Sequence, residues 1–410
     1  MGRFEITGVD DEEQGMADDA EMTRPVLIAG GGIGGLAAAL ALAATGRASH
    51  VLEQSSRFGE IGAGIQLGPN VFKMFERLGL TAAVEAVAFF PEHLVMRDST
   101  TGELVTSIPV GSAAFRARFK YPYAVIYRAD LHALLLEACR CSPLIGLSPS
   151  TKIIDHADLG DRVRVTTAAG ATYEGAALIG ADGLWSGVRA RVVNDGPPRV
   201  SGHIAYRAVL PIDRVPEAWR PNSVVLWGGA KHHFVHYPLR RGQIFNLVAV
   251  FHSDHYEEGW DTYGDPAELT ERFRDAHAQV KGLLEKIEAW RMWVLCDREP
   301  VKQWSKGRVT LLGDAAHPML QYLAQGACMA IEDAVVLADK VTAAGGDFEA
   351  AFQAYQQARY LRTGRVQLTA RYYGEAYHAA GVTAELRNMM LGKRTPEQAF
   401  EGLGWLYDGI

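Results

Sequence analysis

The sequence predicts an α/β protein in which a Rossmann-like parallel-sheet domain interleaves with an antiparallel-sheet domain, followed by C-terminal helices. Three observations predict it. A glycine-rich turn joins a short apolar run to an Ala-rich helix near residue 30. Two later apolar runs end at Asp182–Gly183 and Gly313–Asp314. Between those two, residues 201–290 read as alternating strands.

The first element is "PVLIAG", an apolar run bounded by glycine, as in a strand buried on both faces. "GLAAALALAATG" reads as a helix closed by Gly46, and "ASHVLEQ" as the next strand, which makes a compact βαβ unit. Gly30, Gly32 and Gly35 fit G-x-G-x-x-G around Ile33. The first glycine permits the tight turn, the second lets backbone approach a pyrophosphate, and the third lets helix pack on strand. Phosphate then sits at the helix N-terminus, where free N–H groups and the dipole favour anions. Glu53 ends the second strand about 20 residues on, where an acid accepts hydrogen bonds from ribose hydroxyls. An acid there favours FAD or NAD over NADP, whose 2′-phosphate it would repel.

"AALIGADGLWSGVRARVV" repeats strand, turn and helix around Asp182, and taken alone it reads equally well as a plain connection. "GRVTLLGDAAHPMLQYLAQGACMAIEDAVVLADKV" repeats the grammar once more. Asp314 stands at a strand's carboxyl end, where ligands bind in open α/β sheets. A long helix starts near Gly326, and Ala324, Gly326 and Ala327 lie at its N-terminus, which offers a second set of free N–H groups. The runs "HIAYRAVLPI", "SVVLWGG", "HHFVHYPL" and "IFNLVAVF" predict an antiparallel sheet, and the last ~70 residues predict helices covering the first domain.

The expected boundaries are an acidic disordered leader at 1–22, a discontinuous cofactor domain at 23–95, 120–200 and 291–345, a substrate domain at 96–119 and 201–290, and helices at 346–410. A chain of 410 residues suits two or three domains. Its 48% hydrophobic and 22% charged residues are ordinary for a globular protein. A net charge of -7 argues against a nucleic-acid partner. No apolar run reaches the ~18–20 residues that span a bilayer. Four cysteines without CxxC spacing suggest neither disulfides nor a zinc site, so the reducing cytoplasm is the expected location.

"KHHFVHYPLR" raises a separate question, because three histidines and a tyrosine occupy six residues. Pro238 excludes a helix, and Phe234, Val235 and Tyr237 favour a strand. With period two, His233, Val235 and Tyr237 share one face, and His232, Phe234 and His236 the other. His232 and His236 then stand about 13 Å apart, too far to ligate one zinc at about 2 Å. No metal site is expected. His233 and Tyr237 fit two polar heads along one side of a pocket, although an exposed sheet face fits the same pattern.

Taken in order, GxGxxG with Glu53, "IGADG" with Asp182 and "LLGDAAHPMLQYLAQGA" with Asp314 resemble the single-component flavoprotein aromatic hydroxylases, of the p-hydroxybenzoate hydroxylase fold. The resemblance spans the chain from residue 24. It implies tightly bound, non-covalent FAD, with NADH as a transient donor that needs no second Rossmann unit and O2 as co-substrate. It implies that the GxGxxG and Glu53 hold the ADP half, that Asp182 lies near the pyrophosphate, that Asp314 binds the ribitol and phosphate region, and that Arg128 of "IYRADLHALL" lies beside the flavin chain. In this chemistry a flavin hydroperoxide delivers electrophilic oxygen to an electron-rich ring, and a helix N-terminus at "AQGA" stabilises reduced flavin.

His-x-x-x-Tyr-Pro together with "HPMLQYLAQGA" resembles the 3-hydroxybenzoate 6-hydroxylase branch and, less closely, the salicylate and 6-hydroxynicotinate hydroxylases. The branch implies His233 as the phenol's proton acceptor, Gln321 as its hydrogen-bonding partner and Tyr237 as a positioning group for the bound acid. His317 falls in the flavin motif. Asp98 is a weaker pocket candidate whose better reading is a turn. The cysteines read as packing residues, with Cys328 placed to make activity thiol-sensitive. The implied reaction is conversion of 3-hydroxybenzoate to gentisate. Salicylate 1-hydroxylase and 6-hydroxynicotinate 3-monooxygenase are the rivals, and a non-hydroxylating FAD electron carrier is the alternative of a different class. The family is often dimeric, but no segment here compels an interface.

Overall fold

The computed structural model describes residues 24–59, 62–253 and 263–410. The acidic leader expected at 1–22 lies outside them.

Two large sheets carry the architecture. The first has six strands in the order Ser305–Lys306, Val309–Leu311, Leu178–Gly180, Val26–Ala29, Ser49–Leu52 and Ile145–Ser148. All its pairings are parallel except that of the short edge strand Ser305–Lys306. Its central runs VLIA, LIG and VTL are buried throughout, because helices cover both faces of such a sheet. The glycine turn behaves as its spacing predicts. Gly30 has φ 101°, which a side chain rarely adopts, and a Cβ on Gly35 would lie 2.0 Å from the Gly30 carbonyl oxygen.

The second sheet has seven strands in the order Arg291–Asp297, Arg199–Pro211, Ile244–His252, His232–Leu239, Ser223–Gly229, His93–Asp98 and Leu104–Ile108. Only the pairing of Ser223–Gly229 with His93–Asp98 is parallel. The four runs expected to be antiparallel strands are antiparallel neighbours here. The expected boundaries shift in three places. Arg291–Asp297, expected on the cofactor side, pairs with Arg199–Pro211 because its alternating apolar residues complete this sheet. His93–Asp98 enters the sheet before residue 96. The helix Ala113–Phe119 packs its two phenylalanines on Phe400 and Tyr407 in the larger core rather than on the sheet.

Strand alternation divides the second sheet chemically. One face carries Ile204, Tyr206, Phe234, Phe251 and Trp227 into a core closed by the helices Pro266–Arg272 and Ala278–Leu284. The other face carries Ala205, Val235, Val248 and Val250 toward Leu320, Tyr322 and the C-terminal helices.

Those C-terminal helices do more than cover the first sheet. Phe348–Tyr377 packs along Gly326–Ala343, while Gly381–Gly392 reaches the strand Leu104–Ile108 of the other sheet. A buried ion network locks the first pair. Arg359 donates to Glu332 at 2.7 Å and to Asp333 at 2.6 Å, Arg362 donates to Glu332 at 2.7 Å, and His317 bonds Asp333 at 2.5 Å. Removing one member strands a buried charge, at a cost of about 3–5 kcal/mol. Among the described residues no helix is long and apolar enough to cross a membrane.

Candidate active site

The six-stranded sheet's carboxyl ends, the seven-stranded sheet and the C-terminal helices enclose a cavity of about 500 Å³, within the range of cofactor and ligand sites. It has two chemically different walls.

The first wall is mostly backbone. Gly32 and Gln325 are the N-caps of the helices Ile33–Ala44 and Gly326–Ala343, and neither helix has a side-chain cap, so both present N–H groups to a ligand. Gly32, Ile33, Arg128, Asp314, Ala324, Gly326 and Ala327 all line the cavity. Gly30, Gly35, Glu53 and Asp182 stand behind this wall and shape it. The Glu53 carboxylate accepts the N–H groups of Gly31 and Ser55, each at 2.7 Å. Asp182 accepts the Ser186 hydroxyl at 2.5 Å and the Val188 N–H at 3.2 Å, which holds the loop whose Ala181 and Gly183 line the cavity. Enclosure by protein raises the Asp182 carboxyl.

Asp314 is surrounded by protein yet open on its cavity side. Burial raises its carboxyl, and the nearby Arg128 charge works against that shift. Ala324 adopts the left-handed conformation (φ 52°), strained backbone of the kind that gathers at functional sites. His317 takes a structural place here: Asp333 accepts both its ring N–H and the Gly313 N–H, bracing the Gly313–Asp314 turn from behind.

Side chains of the seven-stranded sheet form the second wall. His233, Val235 and Tyr237 line the cavity together, as alternation predicts. His232 bonds Ser99 at 2.9 Å and His236 accepts from Trp227 at 3.0 Å, both in the opposite core. The exposed-face alternative therefore falls. Burial pushes His233 down to about 3, so it is a neutral imidazole. Its Nδ1 meets His378 Nε2 at 2.7 Å, which leaves Nε2 as the other ring nitrogen. Burial pushes the Tyr237 hydroxyl up, so it stays a neutral phenol.

Two residues at the site are not among those expected from the sequence. Arg207 lines the cavity, with its guanidinium 5.4 Å from the Trp293 ring centre. One of its Nη groups donates to the Gln321 amide oxygen, and its buried Nε has no partner among the described residues. Burial lowers it to about 10, so it remains a cation at neutral pH. Gln321, expected to face the phenol, thus turns its carbonyl to Arg207. A sequence signal existed, because Arg207 shares the strand face of Ala205 in an otherwise apolar run. His378 is the second. It is the C-cap of the helix Phe348–Tyr377, and nothing local marks it.

Asp98 accepts the N–H groups of Thr100 and Thr101 at 2.9 Å each and is a turn residue. Two expectations about cysteines need correction. Cys141 is exposed rather than packed. Cys328 is buried, and burial pushes its thiol up to about 12, which removes the thiolate that thiol reagents need.

Comparison with known proteins gives the family. A family model described as FAD binding domain matches residues 23–367. The chain is 45% identical over 389 residues to 3-hydroxybenzoate 6-hydroxylase 1 of Aquipseudomonas alcaligenes, covering 94% of this chain and 98% of that protein. The chain belongs to the single-component FAD-dependent aromatic hydroxylases. It is also 46% identical to 3-hydroxybenzoate 6-hydroxylase of Polaromonas naphthalenivorans (strain CJ2), over 93% of this chain and 95% of that one. Klebsiella pneumoniae HpxO, solved with FAD and uric acid, superposes with a TM-score of 0.84 at 26% identity, over 95% of this chain and 98% of that one. FAD is the cofactor, and two uncapped helix N-termini beside a glycine turn suit its phosphates and isoalloxazine. The protein is a flavin-dependent aromatic monooxygenase.

Proposed function

We propose that this monooxygenase uses NADH and O2 to hydroxylate 3-hydroxybenzoate para to its hydroxyl, giving 2,5-dihydroxybenzoate (gentisate). The observation that carries the reading is Arg207, a cation enclosed on the cavity wall whose described partners are an amide and an aromatic ring. Such a group is matched by a carboxylate, which accepts two parallel hydrogen bonds from a guanidinium. The names of the two relatives that are 45% and 46% identical supply the acid.

In this reading the six-stranded sheet and its helices hold FAD, and the seven-stranded sheet holds the substrate. Glu53 serves the adenosine ribose, the Asp182 loop the pyrophosphate, and Asp314 with Arg128 the ribitol chain. When bound, FAD would supply the electrophilic oxygen, with NADH as electron donor and O2 as co-substrate. Arg207 anchors the substrate carboxylate, Gln321 orients Arg207, and Tyr237 positions the acid. His233 accepts the hydrogen bond of the phenol O–H at Nε2, and drawing that proton makes the ring electron-rich at its ortho and para carbons.

Product analysis tests this. Gentisate from 3-hydroxybenzoate, with faster NADH oxidation, is expected. Catechol from salicylate would move the reading to salicylate 1-hydroxylase. No stimulation of NADH oxidation by any phenolic acid would leave only an electron carrier.

A further inference from the structure

We propose that His203, His252 and His378 form a zinc site, and that its occupation switches off phenol activation by His233. His203 and His252 face each other directly across neighbouring antiparallel strands. His378 arrives from the end of the helix Phe348–Tyr377. Lys231 fixes the two segments together, donating its N–H to the His378 carbonyl at 3.0 Å and accepting the His252 N–H at 3.1 Å.

One ring nitrogen from each histidine lies within 4.8 Å of the other two. His378 Nδ1 and His252 Nε2 are 3.1 Å apart. Zinc binds imidazole at about 2.0–2.1 Å in a tetrahedral array, which places ligand ring centres about 5 Å apart. The ring centres lie 4.9 Å (His203–His378), 5.1 Å (His252–His378) and 4.1 Å (His203–His252) apart, so a small shift of the cross-strand pair suffices. The outer nitrogens of His203 and His378 are already held, as those of ligating histidines usually are. His203 Nδ1 bonds the Tyr322 hydroxyl at 2.5 Å, and His378 Nε2 bonds His233 Nδ1 at 2.7 Å. His252 is only partly buried, which gives the ion a way in. An all-imidazole set suits zinc among the divalent ions.

The switch follows from proton positions, because a neutral imidazole carries one N–H and one lone pair. Phenol activation requires the lone pair on His233 Nε2, which puts that ring's proton on Nδ1, donating to His378 Nε2 across 2.7 Å and leaving His378 Nδ1–H to face His252 Nε2 at 3.1 Å. Zinc on His378 Nδ1 moves that ring's proton to Nε2, which then donates to His233 Nδ1. His233 must then carry its own proton on Nε2, where it can donate but not accept. This second half rests on the role proposed above for His233; the site itself does not.

The test uses FAD-loaded enzyme stripped with a chelator and titrated calorimetrically with zinc chloride. One zinc per chain is expected. His252→Gln and His203→Gln, each checked for retained FAD and unchanged circular dichroism, should weaken binding beyond the about 10–100-fold that loss of an outer partner costs. In wild type, zinc should lower gentisate formed per NADH, raise peroxide, and be reversed by the chelator. Each variant, compared with its own metal-free rate, should lose that sensitivity. Failure to bind one zinc per chain, or equal binding by wild type and both folded variants, overturns the site. One zinc bound through these histidines with product per NADH unchanged supports the site and overturns the switch through His233.

Discussion

The cavity's two walls are built from different material. The wall proposed for the cofactor is backbone: a glycine turn, two helix N-termini and one strained alanine, with carboxylates such as Glu53 and Asp333 working from behind. The wall proposed for the substrate is side chains that meet only through strand pairing and the return of the C-terminal helix: Arg207, His233, Tyr237 and, behind them, His378. A backbone wall tolerates no added atoms. A side-chain wall tolerates replacement but loses chemistry. The two walls should therefore fail differently.

The largest effect is expected at Gly35→Val. Its Cβ would collide with the Gly30 carbonyl, so the turn cannot form. Purified protein should lack the flavin absorption band; retained FAD would mean that the turn yields. Next comes His233→Ala, where FAD should stay bound. Loss of a general base typically costs about 10²–10⁴-fold, so hydroxylation should slow on that scale while peroxide per NADH rises. Loss of FAD instead would make His233 a structural residue of the other wall.

A smaller effect concerns acid. Burial works to raise the Asp333 carboxyl, but His317 and Arg359 outweigh it and hold it at about 2. An unfolded Asp titrates near 3.9. This stabilisation is thus complete above about pH 4 and fades as pH falls toward 2, amounting to about 2–3 kcal/mol. Urea midpoints between pH 5 and pH 3 should fall, and Asp333→Asn should flatten that fall. An unchanged slope would show that the brace behind Gly313 is not ionic. The smallest effect is expected from alkylation at pH 8. The reagent should modify exposed Cys141, spare Cys328 and leave turnover intact. Inactivation that tracks Cys328 modification would contradict its burial.

The same contrast explains what could be read from the sequence. The backbone wall is written in short spacings, so the turn at Gly30, Gly32 and Gly35, the acid at Glu53 and the strand-end place of Asp314 are legible from local grammar. Alternation along one strand was enough to place His233 with Tyr237 and apart from His232 and His236. Arg207 needed knowledge of which strand face looks inward. Its pairing with Gln321 joins residues from two separate segments. His378 sits far along the chain from His233, at the end of a helix whose docking no local pattern encodes. The boundary at 291 went astray for a related reason: strand pairing, not composition, assigns Arg291–Asp297 to its sheet.

The most direct test of the substrate wall compares 3-hydroxybenzoate with its uncharged amide, 3-hydroxybenzamide, in wild type and Arg207→Leu. Hydrogen bonds to a charged group contribute about 1.5–3 kcal/mol, so wild type should favour the acid in kcat/KM by about 10–150-fold. The FAD-loaded variant should lose most of that preference, chiefly through KM. The same preference for the acid in Arg207→Leu would contradict the assignment of Arg207 as the carboxylate anchor, and with it the reading of this wall.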